Sequence, residues 1–168
     1  CAILYIQPTV EDARKYAIMR INPMVTGCPR LTAKVLDVKG NRDTIAQKTF
    51  PGGSLTLVGA NSASGLSSTP IRVVLADEID RWRDSAGREG DPWGLALART
   101  ITFYNRKLLR VSSPSIKGDS AIDQAYHEGT QEVWCRQCPD CGNWAPITFA
   151  YLKFDYEEVA AGGQTAYK

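Results

Sequence analysis

VVLADEID, residues Val73–Asp80, drives four apolar side chains into three acids within the next four positions. Ile71–Ala76 (IRVVLA) carries no charge after Arg72, which predicts a central strand of a parallel sheet, buried on both faces. At the carboxyl end of such a strand, side chains point into the crevice where α/β proteins bind ligands. Carboxylates there are costly unless a cation or a reacting water uses them. In a nucleotide hydrolase, Asp77 would stand near Mg²⁺, directly or through water, and Glu78 would orient and deprotonate the attacking water. The same string also fits a solvated surface turn, and Asp80 fits a helix cap or an ion-pair partner of Arg81 and Arg83.

Lys107–Ser115 (KLLRVSSPS) repeats this grammar with hydroxyls, an apolar strand and then Ser112, Ser113 and Pro114. A neighbouring parallel strand would bring those serines beside the acids, where they could sense a γ-phosphate or hold the water. The alternative is an N-cap and turn before Pro114. No GxxxxGK[ST] phosphate loop occurs in these residues, so weak ATP binding is expected of them alone.

The remaining chain predicts an α/β protein, a mostly parallel sheet flanked by helices. Ala2–Gln7 is a short apolar strand, and Thr9 can cap a helix over about Val10–Ile21, with Glu11 and Asp12 in its first turn. Pro23 and Pro29 are expected to break any helix in Asn22–Leu31. Asp43–Phe50 and Ser54–Gly59 alternate about a PGG turn and predict a hairpin. Ala60–Pro70 is either a helix opening on small residues or a loop. An exposed loop at Asp84–Pro92, helices at Trp93–Thr102 and Ala121–Gly129, and a strand at Lys107–Ser112 complete the pattern.

With 168 residues, the chain suffices for one domain or one domain plus a small appendage. A net charge of +2 is too small to argue for nucleic acid. No apolar run reaches the roughly 18 residues that a membrane helix needs. The opening CAILYIQPT has no initiator Met and suggests a piece of a longer protein. Three of the five cysteines crowd into Cys135–Gly142 (CRQCPDCG), which favours a metal over a disulfide framework. Cys138 and Cys141 make half of a zinc ribbon, with Cys135 as an extra thiol; free thiols on a reverse turn are the alternative.

Taken together, LYIQPTVEDARKYAIMRINPMV (4–25), GGSLTLVGANSASGLSSTPIRVVLADEIDRW (52–82) and LLRVSSPSIKGDSAIDQAYHEGTQEVWCRQCPDCGNWAPITF (108–149) resemble the large terminase subunit of lambda-like tailed phages, the GpA class. The resemblance implies an ATPase motor that packages viral double-stranded DNA into a procapsid, acting with a portal and a small terminase subunit in the cytoplasm of the bacterial host. A separate nuclease domain would cut concatemers. It implies ATP and Mg²⁺ as ligands, Asp77 and Glu78 as Walker B aspartate and catalytic glutamate, and Ser112–Pro114 as the coupling motif. It also implies zinc at Cys138 and Cys141, with residues 1–132 a motor core of the P-loop NTPase type lacking its phosphate loop and residues 133–168 half of a zinc-ribbon-like insertion. Family members carry the phosphate loop upstream and a second cysteine pair downstream of these segments. A superfamily 2 helicase core and a non-catalytic zinc-stabilised binding module are the competing expectations.

Overall fold

A computed structural model describes residues 1–35, 45–116 and 118–149, and the backbone at 156–157 and 166–167. The chain divides into two compact units, Cys1–His127 and Glu128–Lys168. The first is built on a five-stranded sheet of order β2-β3-β1-β4-β5. Its strands are β1 (Ala2–Gln7), β2 (Gln47–Phe50), β3 (Gly53–Gly59), β4 (Val73–Asp77) and β5 (Lys107–Val111). Strands β3, β1, β4 and β5 run parallel, and β2 is antiparallel to β3.

The β2–β3 hairpin turns through Pro51 and Gly52, and Gly52 takes the positive φ of 79° that such a turn requires. Asp43 and Thr44, expected in its first strand, lie outside the described residues.

Alternation along the strands sorts the side chains onto two faces. On one face Leu4, Ile6, Val58 and Val74 are buried against Leu66 of helix α4 (Ala63–Ser67) and Ala96 of helix α5 (Pro92–Ala98). Leu4 and Ile6 are almost wholly shielded, and each contributes about 1.5–3 kcal/mol of burial. On the other face Tyr5, Leu55 and Leu57 meet Ala13, Ala17 and Ile21 from the helical arm after β1. Strand β4 is therefore interior but unequally covered. Val74 and Ala76 are buried, whereas Val73 and Leu75 are half-buried; among the described residues the second face packs against that arm.

The arm departs from expectation. Helix α1 (Val10–Tyr16) is capped by Thr9, whose hydroxyl oxygen accepts from the Asp12 N–H at 3.1 Å. It then widens into a π turn at Ala17–Ile21 and continues as α2 (Asn22–Gly27) and α3 (Pro29–Thr32). Pro23 does not break it, whereas the backbone turns extended at Cys28 (φ −115°, ψ 106°) directly before Pro29, so the helix ends there as expected. Pro23 sits in the first turn of a new hydrogen-bonding register and Pro29 opens a new helix, so in both places the missing N–H costs little.

Three other boundaries move. Ser62 caps α4, which settles Ala60–Pro70 as a short helix rather than an open loop. Asp91 caps α5 through the N–H groups of Trp93 and Gly94, and the helix stops at Ala98, short of Thr102. There the buried Thr100 turns its hydroxyl back onto the Leu97 carbonyl at 2.8 Å. The loop before α5 is not uniformly exposed, because Ala86 and Pro92 are buried.

Helix α6 (Ala121–Glu128) follows β5. The second unit holds a small hairpin, β6 (Cys135–Gln137) with β7 (Trp144–Pro146), and a short backbone pair, β8 (Tyr156–Glu157) with β9 (Ala166–Tyr167). Of Ile147–Phe154 (ITFAYLKF), the apolar stretch after the cysteine knuckle, Ala150–Phe154 lie outside the described residues. No described helix is long and apolar enough to cross a membrane.

Gly59 ends β3 against the β1–α1 turn, and a Cβ there would collide with the backbone of Thr9 and Val10. Gly59→Ala should cost about 1–3 kcal/mol in urea unfolding, as overpacking of a rigid contact does. Unchanged stability would show that this turn is looser than described.

Candidate active site

The chain leaves β1 for β3 on one side and later returns to β4 on the other, so the strand order reverses at β1. Open α/β sheets bind ligands at the carboxyl ends of the strands flanking such a reversal. A cleft of about 610 Å³ lies there, lined by Gln7, Thr9, Lys15, Arg20, Asp77, Glu78 and Arg81 among others. Asp77 and Glu78 thus reach the predicted crevice.

Parallel register aligns Ile6 with Ala76, so the next residues, Gln7 and Asp77, emerge side by side on the face that also carries Tyr5. Asp77 Oδ2 accepts from the Tyr5 hydroxyl at 2.6 Å and from Gln7 Nε2 at 2.8 Å. Gln7 is buried, and its amide also donates to the Tyr5 oxygen at 3.1 Å. Burial, and then the hydrogen bond to Asp77, raise the Tyr5 pKa far above its ordinary value, so the phenol stays a donor. Tyr5 also stacks on Tyr16, with ring centroids 4.8 Å apart, which ties the carboxylate's support to the helical arm. One Asp77 oxygen is therefore held in place before any ligand arrives.

Glu78 adopts φ 53°, ψ 45°, a left-handed conformation that a residue with a Cβ enters at a cost of about 1–2 kcal/mol. Its surroundings hold it there. Ile79 is buried beneath it, and the Trp82 indole N–H donates to the Asp77 carbonyl at 2.9 Å. The turn reverses the chain directly after β4 and leaves the Glu78 carboxylate half-exposed, 3.5 Å from Nε of Arg81. Such strain clusters at functional sites.

The serines sit beside the acids in register but on a different contact. Asp77 pairs with Val111, so Ser112 continues alongside Glu78. Ser112 Oγ accepts from the Asp80 N–H at 3.2 Å and faces the Ser113 carbonyl at 3.3 Å; neither Ser112 nor Ser113 lines the cleft.

Asp80, expected as a cap or ion-pair partner, does cap a helix, but a distant one, because it accepts from a first-turn N–H of α6 while also reaching the Ser115 turn. Oδ2 accepts from the Ser115 N–H at 2.8 Å and Oδ1 from the Ile122 N–H at 2.9 Å. Burial raises its pKa, but the Ser120 hydroxyl and the Ile122 and Ser115 N–H groups outweigh it and hold the carboxyl at about 2, below the ordinary 3.8. A depressed folded pKa contributes stability that is present above about pH 4 and lost as pH falls toward 2.

The cysteine knuckle gives a narrower result than expected. N–H groups of Cys141 and Asp140, and then the Cys141 thiol, face the Cys138 sulfur and lower its pKa. Cys135 turns its thiol to the Val133 carbonyl at 3.7 Å. Among the described residues no three His, Cys, Asp or Glu side chains could share one ion. A four-ligand zinc site is thus not assembled there, and two neighbouring thiols on a reverse turn are what the hairpin presents.

No solved structure shows a significant match to the chain. The terminase large subunit of Escherichia phage lambda is 26% identical over 92% of the chain and 24% of its own length. That of Enterobacteria phage P21 is 27% identical over 90% of the chain and 23% of its own length. The chain spans about a quarter of the length of these curated relatives. The model of the phage terminase large subunit gpA, ATPase domain, matches residues 1–167, nearly every position from the β1 strand onward, and the chain belongs to that family.

Proposed function

We propose that this domain serves ATP hydrolysis in a packaging motor, with the β1–β4 cleft as the place where the γ-phosphate meets its water. The observation that supports this most is the pairing of an immobilised Asp77 with a strained Glu78 at one strand tip, inside the cleft. Asp77 would hold Mg²⁺, directly or through water. The cation would supply charge neutralisation on the transferring phosphoryl oxygens. Tyr5 and Gln7 keep the Asp77 carboxylate aimed, so little reorganisation is needed on binding. Glu78 accepts a proton from the attacking water, after exchanging its contact with the exposed Arg81 for that water. Ser112 and Ser113 would carry the state of the site to the neighbouring segment.

In the longer protein, this chemistry would drive double-stranded viral DNA into a procapsid at the portal, with the small terminase subunit as partner, in the host cytoplasm. A core of the P-loop NTPase type and a nuclease elsewhere in the polypeptide belong to the same proposal. The family membership favours this over a helicase or a non-catalytic binding module.

In the full-length protein, Glu78→Gln should lower ATP turnover by about 10²–10⁴-fold, the usual contribution of a general base, with nucleotide binding retained. Turnover near that of the parent would remove Glu78 from this role. Glu78→Gly should relieve the left-handed strain and stabilise the fold by up to about 1 kcal/mol despite the lost activity. A lower melting temperature in that variant would mean that Glu78 is held by favourable contacts rather than against strain.

A further inference from the structure

Asp80 belongs to neither the cleft nor the core, yet it makes the long-range polar contacts that tie the site to the rest of its edge. Its N–H donates to Ser112 Oγ, and its two carboxylate oxygens accept from Ser115 and Ile122, which lie 35 and 42 residues further along the chain. Each oxygen has its own donor. Only an ionised carboxylate accepts on both without turning a proton toward an N–H.

The connection from Asp80 back to Glu78 is short and stiff. One 3₁₀ turn spans Ile79–Arg81, anchored by buried Ile79 and by the Trp82 indole on the Asp77 carbonyl. On the far side, Ser113–Ile116 are exposed, so apolar burial does not hold that turn in place. At the start of α6, Ser120 is fully buried and its hydroxyl accepts from the Asp123 N–H at 3.1 Å. Beyond its continuity with β5, the long-range bonds of this turn among the described residues are those to Asp80.

Resting on the ATPase assignment above, we propose that Asp80 is a positioning residue that locks the tip of β4 to the Ser112–Ser115 turn and to the start of α6, so that the three respond together to the state of the cleft. The site then has an output. A change at Glu78 is delivered to the serine turn and to α6 through one side chain, without requiring Ser112 or Ser113 to enter the cleft.

Asp80→Asn keeps one acceptor oxygen and turns an NH₂ group toward the other N–H, so it breaks one arm with almost no change in volume. In full-length protein with procapsids and DNA, the ATP consumed per base pair packaged should rise above the parent value, because losing one charge-assisted hydrogen bond weakens the link by about tenfold in its equilibrium constant. A purely structural role would lower turnover and packaging together and leave that ratio at the parent value, which would overturn the proposal.

Amide exchange in the unmutated protein gives a second reading that does not depend on the variant folding. Protection at Ser115 and Ile122 should change when a non-hydrolysable ATP analogue with Mg²⁺ is added. Unchanged protection at both, while the amides of β4 respond, would contradict the proposal. If Glu78→Gln abolishes turnover but the Asp80→Asn ratio stays at the parent value, the ATPase assignment survives and the role of Asp80 does not. Normal turnover in Glu78→Gln would overturn both.

Discussion

The in-register parallel pairing of β1 with β4 is the constraint from which the site follows. It puts Gln7 beside Asp77 and Tyr5 one step behind, and the period-2 geometry of strands turns all three toward the same face. A slip of one residue would send the Asp77 carboxylate to the opposite face, into the layer formed by Leu66 and Ala96. The apolar alternation of both strands opposes that slip, because Leu4, Ile6, Val74 and Ala76 would then surrender a dry environment. Core packing and site geometry are thus the same requirement expressed at two ends of one strand pair.

Rigidity is distributed unevenly around this pair. One face is closed by α4 and α5, while among the described residues the other is covered by the helical arm from α1 to α2. The cleft opens on the thinner side, where Tyr16 and Arg20 of the arm stand over it. Glu78 adds a local cost through its left-handed backbone, sustained by the buried Ile79 and the Trp82 indole. A stiff Asp77, a strained Glu78 and a bridging Asp80 within four residues give one short segment three different mechanical characters.

Much of this could be read from residue patterns, and the failures have physical causes. Ala2–Gln7 and the β4 strand announce themselves through uninterrupted apolar runs, and the PGG turn marks the hairpin. Pro29 marks a real break, with Cys28 extended before it, but Pro23 misled because its effect depends on hydrogen-bonding register, and the π turn at Ala17–Ile21 that resets it has no compositional signature. Tyr5 and Gln7 were legible only in part. Alternation sets them on one face, but their meeting with Asp77 depends on strand order, which local pattern does not encode. The Asp80 contacts to Ser115 and Ile122 close loops of more than thirty residues, beyond any spacing rule. The positive φ of Glu78 is hidden for another reason, since its residue type argues against it.

The central claim is that ATP is turned over where β1 and β4 end, with Asp77 and Glu78 turned toward the terminal phosphate. A structure of the full-length protein with Mg²⁺ and a non-hydrolysable ATP analogue tests it most directly. The expected result is a γ-phosphate in the cleft between Gln7 and Glu78, with Asp77 touching the cation or one of its waters. A nucleotide seated against another edge of the sheet, with these two acids facing solvent, would contradict it.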